Sequence, residues 1–176
     1  PQSFINNYRN QTTIEQRERY PNVDWQKELF KDNAMSYNAN VNISGGTKFV
    51  KYYASIDYVH EGDLFEVFDN NRGYESGYGY DRINVRSNLD FSITKTTTLK
   101  VNLAGSTAKR KAPWNNLGGD EFQIAQQWAG AYNIAPDVFL PVYSDGSWGY
   151  YPEISNVTNS AYNLSAGGMA ENTTNR

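Results

Sequence analysis

The stretch Ser36-Tyr37-Asn38-Ala39-Asn40-Val41-Asn42-Ile43-Ser44-Gly45-Gly46-Thr47-Lys48-Phe49-Val50-Lys51-Tyr52-Tyr53-Ala54-Ser55-Ile56-Asp57-Tyr58-Val59 alternates polar and apolar side chains, turns, and alternates again. Successive side chains of a strand point to opposite faces, so the pattern reads as a β-hairpin with one apolar and one polar face. Tyr37, Ala39, Val41 and Ile43 point one way, and Ser36, Asn38, Asn40, Asn42 and Ser44 the other. On the return strand Val50, Tyr52, Ala54, Ile56 and Tyr58 share a face opposite Lys51, Tyr53, Ser55 and Asp57. Gly45-Gly46-Thr47-Lys48 reads as the turn between them.

A second hairpin follows. Ile83, Val85, Ser87, Leu89, Phe91 and Ile93 oppose Asn84, Arg86, Asn88, Asp90 and Ser92; after the turn Thr94-Lys95-Thr96-Thr97-Thr98, Leu99, Val101 and Leu103 oppose Lys100, Asn102 and Ser106. The connection from His60 to Asp81 is long and rich in Gly, Asn, Asp and Tyr. Beyond Lys109 the period of two stops. Outside the hairpins, Asp24 is placed to cap a short helix over Trp25 to Lys31, with Trp25 and Leu29 on one face. Gly118-Gly119-Asp120 followed by Gln123 resembles a capping box, and Phe122, Ala125, Ala129 and Tyr132 fall on one helical face up to Pro136. Residues 136–176 read as loop, with Tyr143-Ser144-Asp145-Gly146 as a turn.

The five charged residues inside these strands, Lys51, Asp57, Arg86, Asp90 and Lys100, all share the parity opposite to the aliphatic residues. Blind placement would give that agreement about one time in thirty under period-two geometry. The apolar face is kept free of charge. A soluble sandwich would cover that face with a second sheet; an outer-membrane barrel would turn it to lipid and line a wet lumen with the other. Alternation alone does not choose between them. Three further features favour the barrel. The strands are about ten residues long, as a tilted membrane strand needs. Tyr37 and Tyr58 stand on the apolar face at the end away from the tight turns, where an aromatic belt would lie. Short turns occupy one end and long connections the other, as at the two ends of such barrels.

Composition narrows the classes. The chain has 176 residues, a net charge of -3 and 14 Tyr against 8 Phe, with a mean hydropathy of -0.72; large side chains with a polar tip suit an interface. The basic residues are scattered, which leaves no footprint for nucleic acid. With no Cys, disulfides, thiolate metal sites and Cys nucleophiles are excluded. No apolar run approaches the roughly 18 residues of a membrane helix. The start, Pro1-Gln2-Ser3, carries no Met or signal segment and reads as a mature product or a piece of a longer chain.

Five segments follow one another in order: Asp24-Trp25-Gln26-Lys27-Glu28-Leu29-Phe30, Asn42-Ile43-Ser44-Gly45-Gly46-Thr47, Lys51-Tyr52-Tyr53-Ala54-Ser55-Ile56-Asp57-Tyr58 with Glu61-Gly62, Tyr80-Asp81-Arg82-Ile83-Asn84-Val85-Arg86-Ser87-Asn88-Leu89-Asp90, and Phe139-Leu140-Pro141-Val142-Tyr143-Ser144-Asp145-Gly146-Ser147. As an ordered set they resemble the early barrel of SusC/RagA-type TonB-dependent transporters of Bacteroidota. The resemblance implies an outer-membrane barrel of about 22 strands plugged by an N-terminal domain. It further implies a SusD-like surface lipoprotein as a lid, TonB acting through the plug, and import of oligosaccharides or, less often, peptides. Nothing in the chain looks like the plug or the TonB-contacting segment. The expected fold class is all-β, two antiparallel hairpins of a transmembrane barrel with a long extracellular loop containing a short helix. The expected organisation is an N-terminal segment with a short helix leading into the barrel (1–35), four barrel strands (36–108) and the loop region (109–176). The expected location is the outer membrane, with loops at the cell surface. A secreted β-sandwich carbohydrate-binding module is the competing class, and a surface-assembly protein the third.

The chain offers no catalytic constellation, so an enzyme, a cofactor and a metal site are not expected. His60 is the only His, and no spacing supplies it with partners for a metal or for general-base work. Asp145-Gly146-Ser147 and Asp69-Asn70-Asn71 lack calcium-loop spacing and read as turns. Gly77-Tyr78-Gly79 is no phosphate loop, and the Asn-X-Ser/Thr triplets at Asn10, Asn42, Asn156, Asn163 and Asn172 read as compositional. The candidates for substrate or partner contact are Trp114, Trp128, Trp148, Tyr150 and Tyr151, since exposed aromatic faces stack on sugars and anchor protein contacts; the alternative is that they pack the loop on itself. Lys51, Asp57, Arg86, Asp90 and Lys100 are candidates to face the lumen or grip the plug, or to pair with one another across strands.

Overall fold

A computed structural model describes residues 2–114, 119–151 and 159–176 of the chain. Five strands form one sheet in sequence order: β1 Ser36–Gly46, β2 Val50–Glu61, β3 Gly79–Ser92, β4 Thr98–Trp114 and β5 Gly168–Asn175. β1 through β4 pair antiparallel. Five helices accompany them: α1 Gln2–Arg9, α2 Ile14–Arg19, α3 Trp25–Leu29, α4 Gly119–Asn133 and α5 Ser160–Ser165. The described residues divide into two compact units.

The sheet unit keeps the expected register. Val41 lies opposite Ile56, Ile56 opposite Val85, and Val85 opposite Gly105, so the apolar residues of four strands fall in shared rows on one face. Asn40 opposite Asp57, and Asp57 opposite Asn84, make a row of the other face.

The strands differ from the sequence reading at their ends. The first turn is residues 47–49, not Gly45-Gly46, which lie in β1 opposite Tyr52 and Lys51. The Thr47 hydroxyl accepts the N–H groups of Phe49 at 3.2 Å and Val50 at 3.3 Å, and this closes the turn. Gly45 serves its neighbour: a Cβ there would lie 2.7 Å from Tyr52 Cζ, so the ring occupies the space the glycine leaves. β4 runs past Lys109 to Trp114, because pairing with β3 continues through Gly79 opposite Lys111 after the alternation has ended. β5 is a strand where loop was expected. Its residues are mostly polar, and backbone pairing holds it: Ser106 and Arg176 exchange N–H···O bonds of 2.8 and 2.9 Å.

The second unit is built from three separate stretches, residues 1–33, 64–77 and 112–170. Its core joins Val23, Trp25 and Leu29 to Ala131, Phe139, Leu140 and Ala161. Asp24 caps α3 as expected, accepting from the Lys27 N–H at 3.4 Å. The apolar pair Trp25 and Leu29 is buried, with the Trp25 indole donating to the Ala135 carbonyl at 3.2 Å. α2 was not legible because no apolar stripe marks it; Thr13 caps it by accepting from Gln16 N–H. The turn at Tyr143 to Gly146 is present, closed by Gly146 N–H to Tyr143 carbonyl at 3.0 Å. Gly118, the side chains of Asp120, Phe122 and Gln123, and the triplet at Asn156, lie outside the described residues.

The fifth helix, unforeseen in the loop region, is held at both ends. Asn159 caps its start, accepting from Tyr162 N–H at 3.2 Å while its amide donates to the carbonyls of Pro141 at 2.8 Å and Gly149 at 3.1 Å. At its other end the carbonyls of Leu164, Ser165, Ala166 and Gly167 receive side chains from the stretch Asn70 to Ser76. Orphan carbonyls of a helix end need such partners when buried.

Candidate functional site

Each face of the sheet poses its own chemical question. On the apolar face Val41, Ile43, Ile56 and Leu103 are 73%, 60%, 58% and 62% exposed, so bare aliphatic surface continues across four strands. No second sheet covers it among the described residues. From Val50 to Tyr58 along β2, the rows on this face contain no charge. At about 3.4 Å per residue those eight steps cover roughly 27 Å of strand.

Above that band the face changes character. Tyr37 lies opposite His60, and His60 opposite Asp81. Tyr58 donates its hydroxyl to Asp81 Oδ1 at 2.6 Å, and His60 Nδ1 lies 2.8 Å from the same oxygen. The Tyr37 ring sits 5.8 Å from that of Tyr58 and 4.9 Å from that of His60, centroid to centroid. Lys109, opposite Asp81, pairs with Glu171 at 2.9 Å. The first charges on this face therefore occur in the row that also carries Tyr37. Sequence reasoning missed this cluster because it ended β2 at Tyr58; carrying the parity two residues further would have placed His60 and Asp81 together.

On the polar face the structure brings the expected lumenal residues together in part. Lys51 lies opposite Asp90 and Asp90 opposite Lys100, a plus-minus-plus row near the tight turns. Among the described residues no ion pair joins them. Asp57 accepts from Asn84 Nδ2 at 2.8 Å, and Asn84 Oδ1 accepts from Arg82 Nε at 2.7 Å. Arg86 lies opposite Ser55 and Ala104 on the same face.

The loop aromatics separate by burial. Trp148 and Tyr151 pack against the core of the helical unit, Trp148 edge-on to Phe68 at 6.2 Å and to Tyr162 at 5.4 Å. Trp114, Trp128 and Tyr150 are 50%, 45% and 74% exposed. Trp128 stacks at 6° on Tyr132, one helical turn on, with centroids 6.4 Å apart, and it also meets Phe30 at 4.8 Å. Tyr132, which the spacing puts on one helical face with Ala125 and Ala129, is 65% exposed and extends the aromatic surface of Trp128.

In the same unit Glu18 accepts the Ser144 N–H at 2.8 Å. Hydrogen bonds from the Ser144 side chain and backbone hold the Glu18 carboxyl below its ordinary value. Asp145 is lowered likewise, by Ser147.

No family model and no solved structure matches the chain. Among curated proteins it is similar to the TonB-dependent receptor P3 of Formosa agariphila, 29% identical over 133 residues. The match covers 72% of this chain but only 12% of that receptor's length. The likeness points to TonB-dependent receptors and does not reach to a type within them.

Proposed function

We propose that the chain forms part of the wall and the surface loops of an outer-membrane TonB-dependent transporter of the SusC/RagA type. It imports oligosaccharides, or peptides, together with a SusD-like surface lipoprotein. The observation that carries the reading is the bare, charge-free apolar face shared by β1 to β4. In water a patch of that extent invites association. In a bilayer it is the required outer surface. Roughly 27 Å of strand tilted by about 40° stands ~20 Å tall, close to the ~25 Å apolar band of such barrels. The aromatic row at Tyr37 and Tyr58, followed by the first charges, is what a membrane interface asks of a barrel wall.

The outer edges of β1 and β5 then require further strands, since unpaired backbone groups in hydrocarbon cost several kcal/mol each. TonB acts on parts of the receptor beyond these residues. The work of this chain is binding and gated passage, with no covalent step and no cofactor, and its polar face lines the lumen.

Fractionation of cells producing the full-length protein tests the reading. It is expected in the outer-membrane fraction, released only by detergent, and co-purifying with a surface lipoprotein. Recovery in the soluble fraction would refute the barrel; recovery in the membrane without a lipoprotein would refute the SusC/RagA assignment alone.

A further inference from the structure

The polar face is not evenly charged. From its middle row to the end nearer the long connections it carries Arg82 and Arg86 on β3, Arg110 on β4 and Arg176 just past β5, with Glu61 of β2 in the row of Arg110. Two adjoining depressions share Arg82, Ser106 and Arg176 in their walls; one reaches Arg86 and the other Arg110. Together they make a trough running along β4. Its floor is small, Ala104, Ser106 and Ala108 in alternate positions, so the backbone can be approached closely while arginines rise on the flanking strands. Strands two places apart lie about 10 Å from each other, wide enough for a single sugar chain between the walls.

The guanidinium groups of Arg82, Arg86 and Arg176 line this trough, and among the described side chains that line it the one carboxylate is Asp57. That carboxylate is engaged by Asn84, whose carbonyl oxygen in turn fixes Arg82 through Nε. The remaining N–H groups of Arg82 make no other hydrogen bond among the described residues. Guanidinium forks recognise planar or tetrahedral oxyanions in paired hydrogen bonds. Between them Asn84, Ser106, Asn172 and Thr174 present amide and hydroxyl groups suited to sugar hydroxyls.

We infer that this trough binds an oligosaccharide bearing carboxylate or sulfate groups, so that the cargo of the transporter is anionic. The inference rests on the transporter reading above, which gives the polar face to the lumen. An acidic protein segment is the other anion that could lie there. Position favours cargo, because the trough runs from the middle of the strands to the end from which the long connections leave, where a ligand from outside enters.

The test uses the full-length receptor, purified from outer membranes in detergent. At low salt it is mixed with an equimolar pool of neutral malto-oligosaccharides, oligogalacturonates and sulfated carrageenan oligosaccharides, and what it retains is identified by mass spectrometry. The carboxylated or sulfated members are expected to be enriched. Arg82→Gln with Arg86→Gln is expected to lower their retention about tenfold or more, since hydrogen bonds to charged groups are at stake. Arg82→Lys with Arg86→Lys is expected to keep part of the preference. If the glutamine pair fails to assemble, as read by heat-modifiable mobility, the single variants Arg86→Gln and Arg176→Gln carry the same test. Retention of neutral sugars alone, or anion retention untouched by the glutamine variants, overturns the inference while leaving the transporter intact. A new protease-sensitive segment elsewhere in the receptor, with sugar retention unchanged, overturns it in favour of an internal acidic contact. Retention of no member of the pool removes the sugar-import reading and this inference together.

Discussion

At the scale of single residues, the helical unit depends on a few groups whose neighbours leave no alternative. Asn159 is buried and satisfies two carbonyls and one N–H at once. Asn159→Leu keeps the branched outline but leaves those groups unpaired, at about 1–3 kcal/mol for each buried group. The expected result is loss of hydrogen-exchange protection over α5 and around Gly149 while β2 and β3 stay protected. Gly149 is equally constrained, since a Cβ there would collide with the Leu140 carbonyl oxygen. Leu29, fully buried, is expected to cost about 2–5 kcal/mol as Leu29→Ala; urea unfolding monitored by Trp25 fluorescence would measure it.

Glu18 provides a pH-dependent contact. Its folded pKa lies below that of an ordinary glutamate, so its contribution is fully present above the ordinary value and is lost as pH falls through the lower folded one. The Ser144 amide resonance is therefore expected to shift only below the ordinary carboxyl range, and Glu18→Gln to abolish that shift. The group is solvent-exposed, so the titration should report local geometry, with little change in global stability.

At the scale of elements, the two faces of a strand make opposite predictions from adjacent positions. Ile56→Lys places a charge in the middle of the apolar band and is expected to cost about 2–4 kcal/mol and to reduce the heat-modifiable, assembled form. Ser55→Glu, one residue away, places a charge on the polar face opposite Arg86, and is expected to assemble normally. Equal effects at the two positions would contradict the assignment of faces. Register was legible here because a slip by one residue would carry every side chain to the wrong face. The ends of strands were not. The pairing of β4 past Lys109, and the whole of β5, rest on backbone bonds that polar sequence neither encourages nor forbids. Gly45-Gly46 misled for a related reason: a glycine that makes room for a ring across the strand has the same letter as one that turns the chain. The charged half of the site was legible as far as Asp57, Arg86 and the Lys51–Asp90–Lys100 row. Arg82, Arg110 and Arg176 were hidden behind those unread strand ends.

At the scale of the whole molecule, stretches read separately as an N-terminal segment with a short helix, a long connection and a loop region form one unit. The stretch from Asn70 to Ser76 is the least conspicuous of them, yet its side chains occupy the carbonyls at the end of α5. Replacing residues 69–75 with a Gly-Ser linker of equal length is expected to open the helical unit to limited proteolysis near α5. The hairpins, whose strands are joined by tight turns, should remain assembled. Survival of α5 in that variant would mean that the loops are independent of one another.

The bond from Trp25 to the Ala135 carbonyl carries a consequence for how the protein is made. Its partners stand 110 residues apart. β1 with β2, and β3 with β4, close over turns of a few residues and can zip within microseconds in favourable conditions. The helical core cannot begin until both hairpins and their long connections have been synthesised and delivered. Contacts of such sequence separation are slow to find. The two hairpins should therefore pair before the helical unit closes, and a chain interrupted before residue 131 would present β1 to β4 with the helical unit still open.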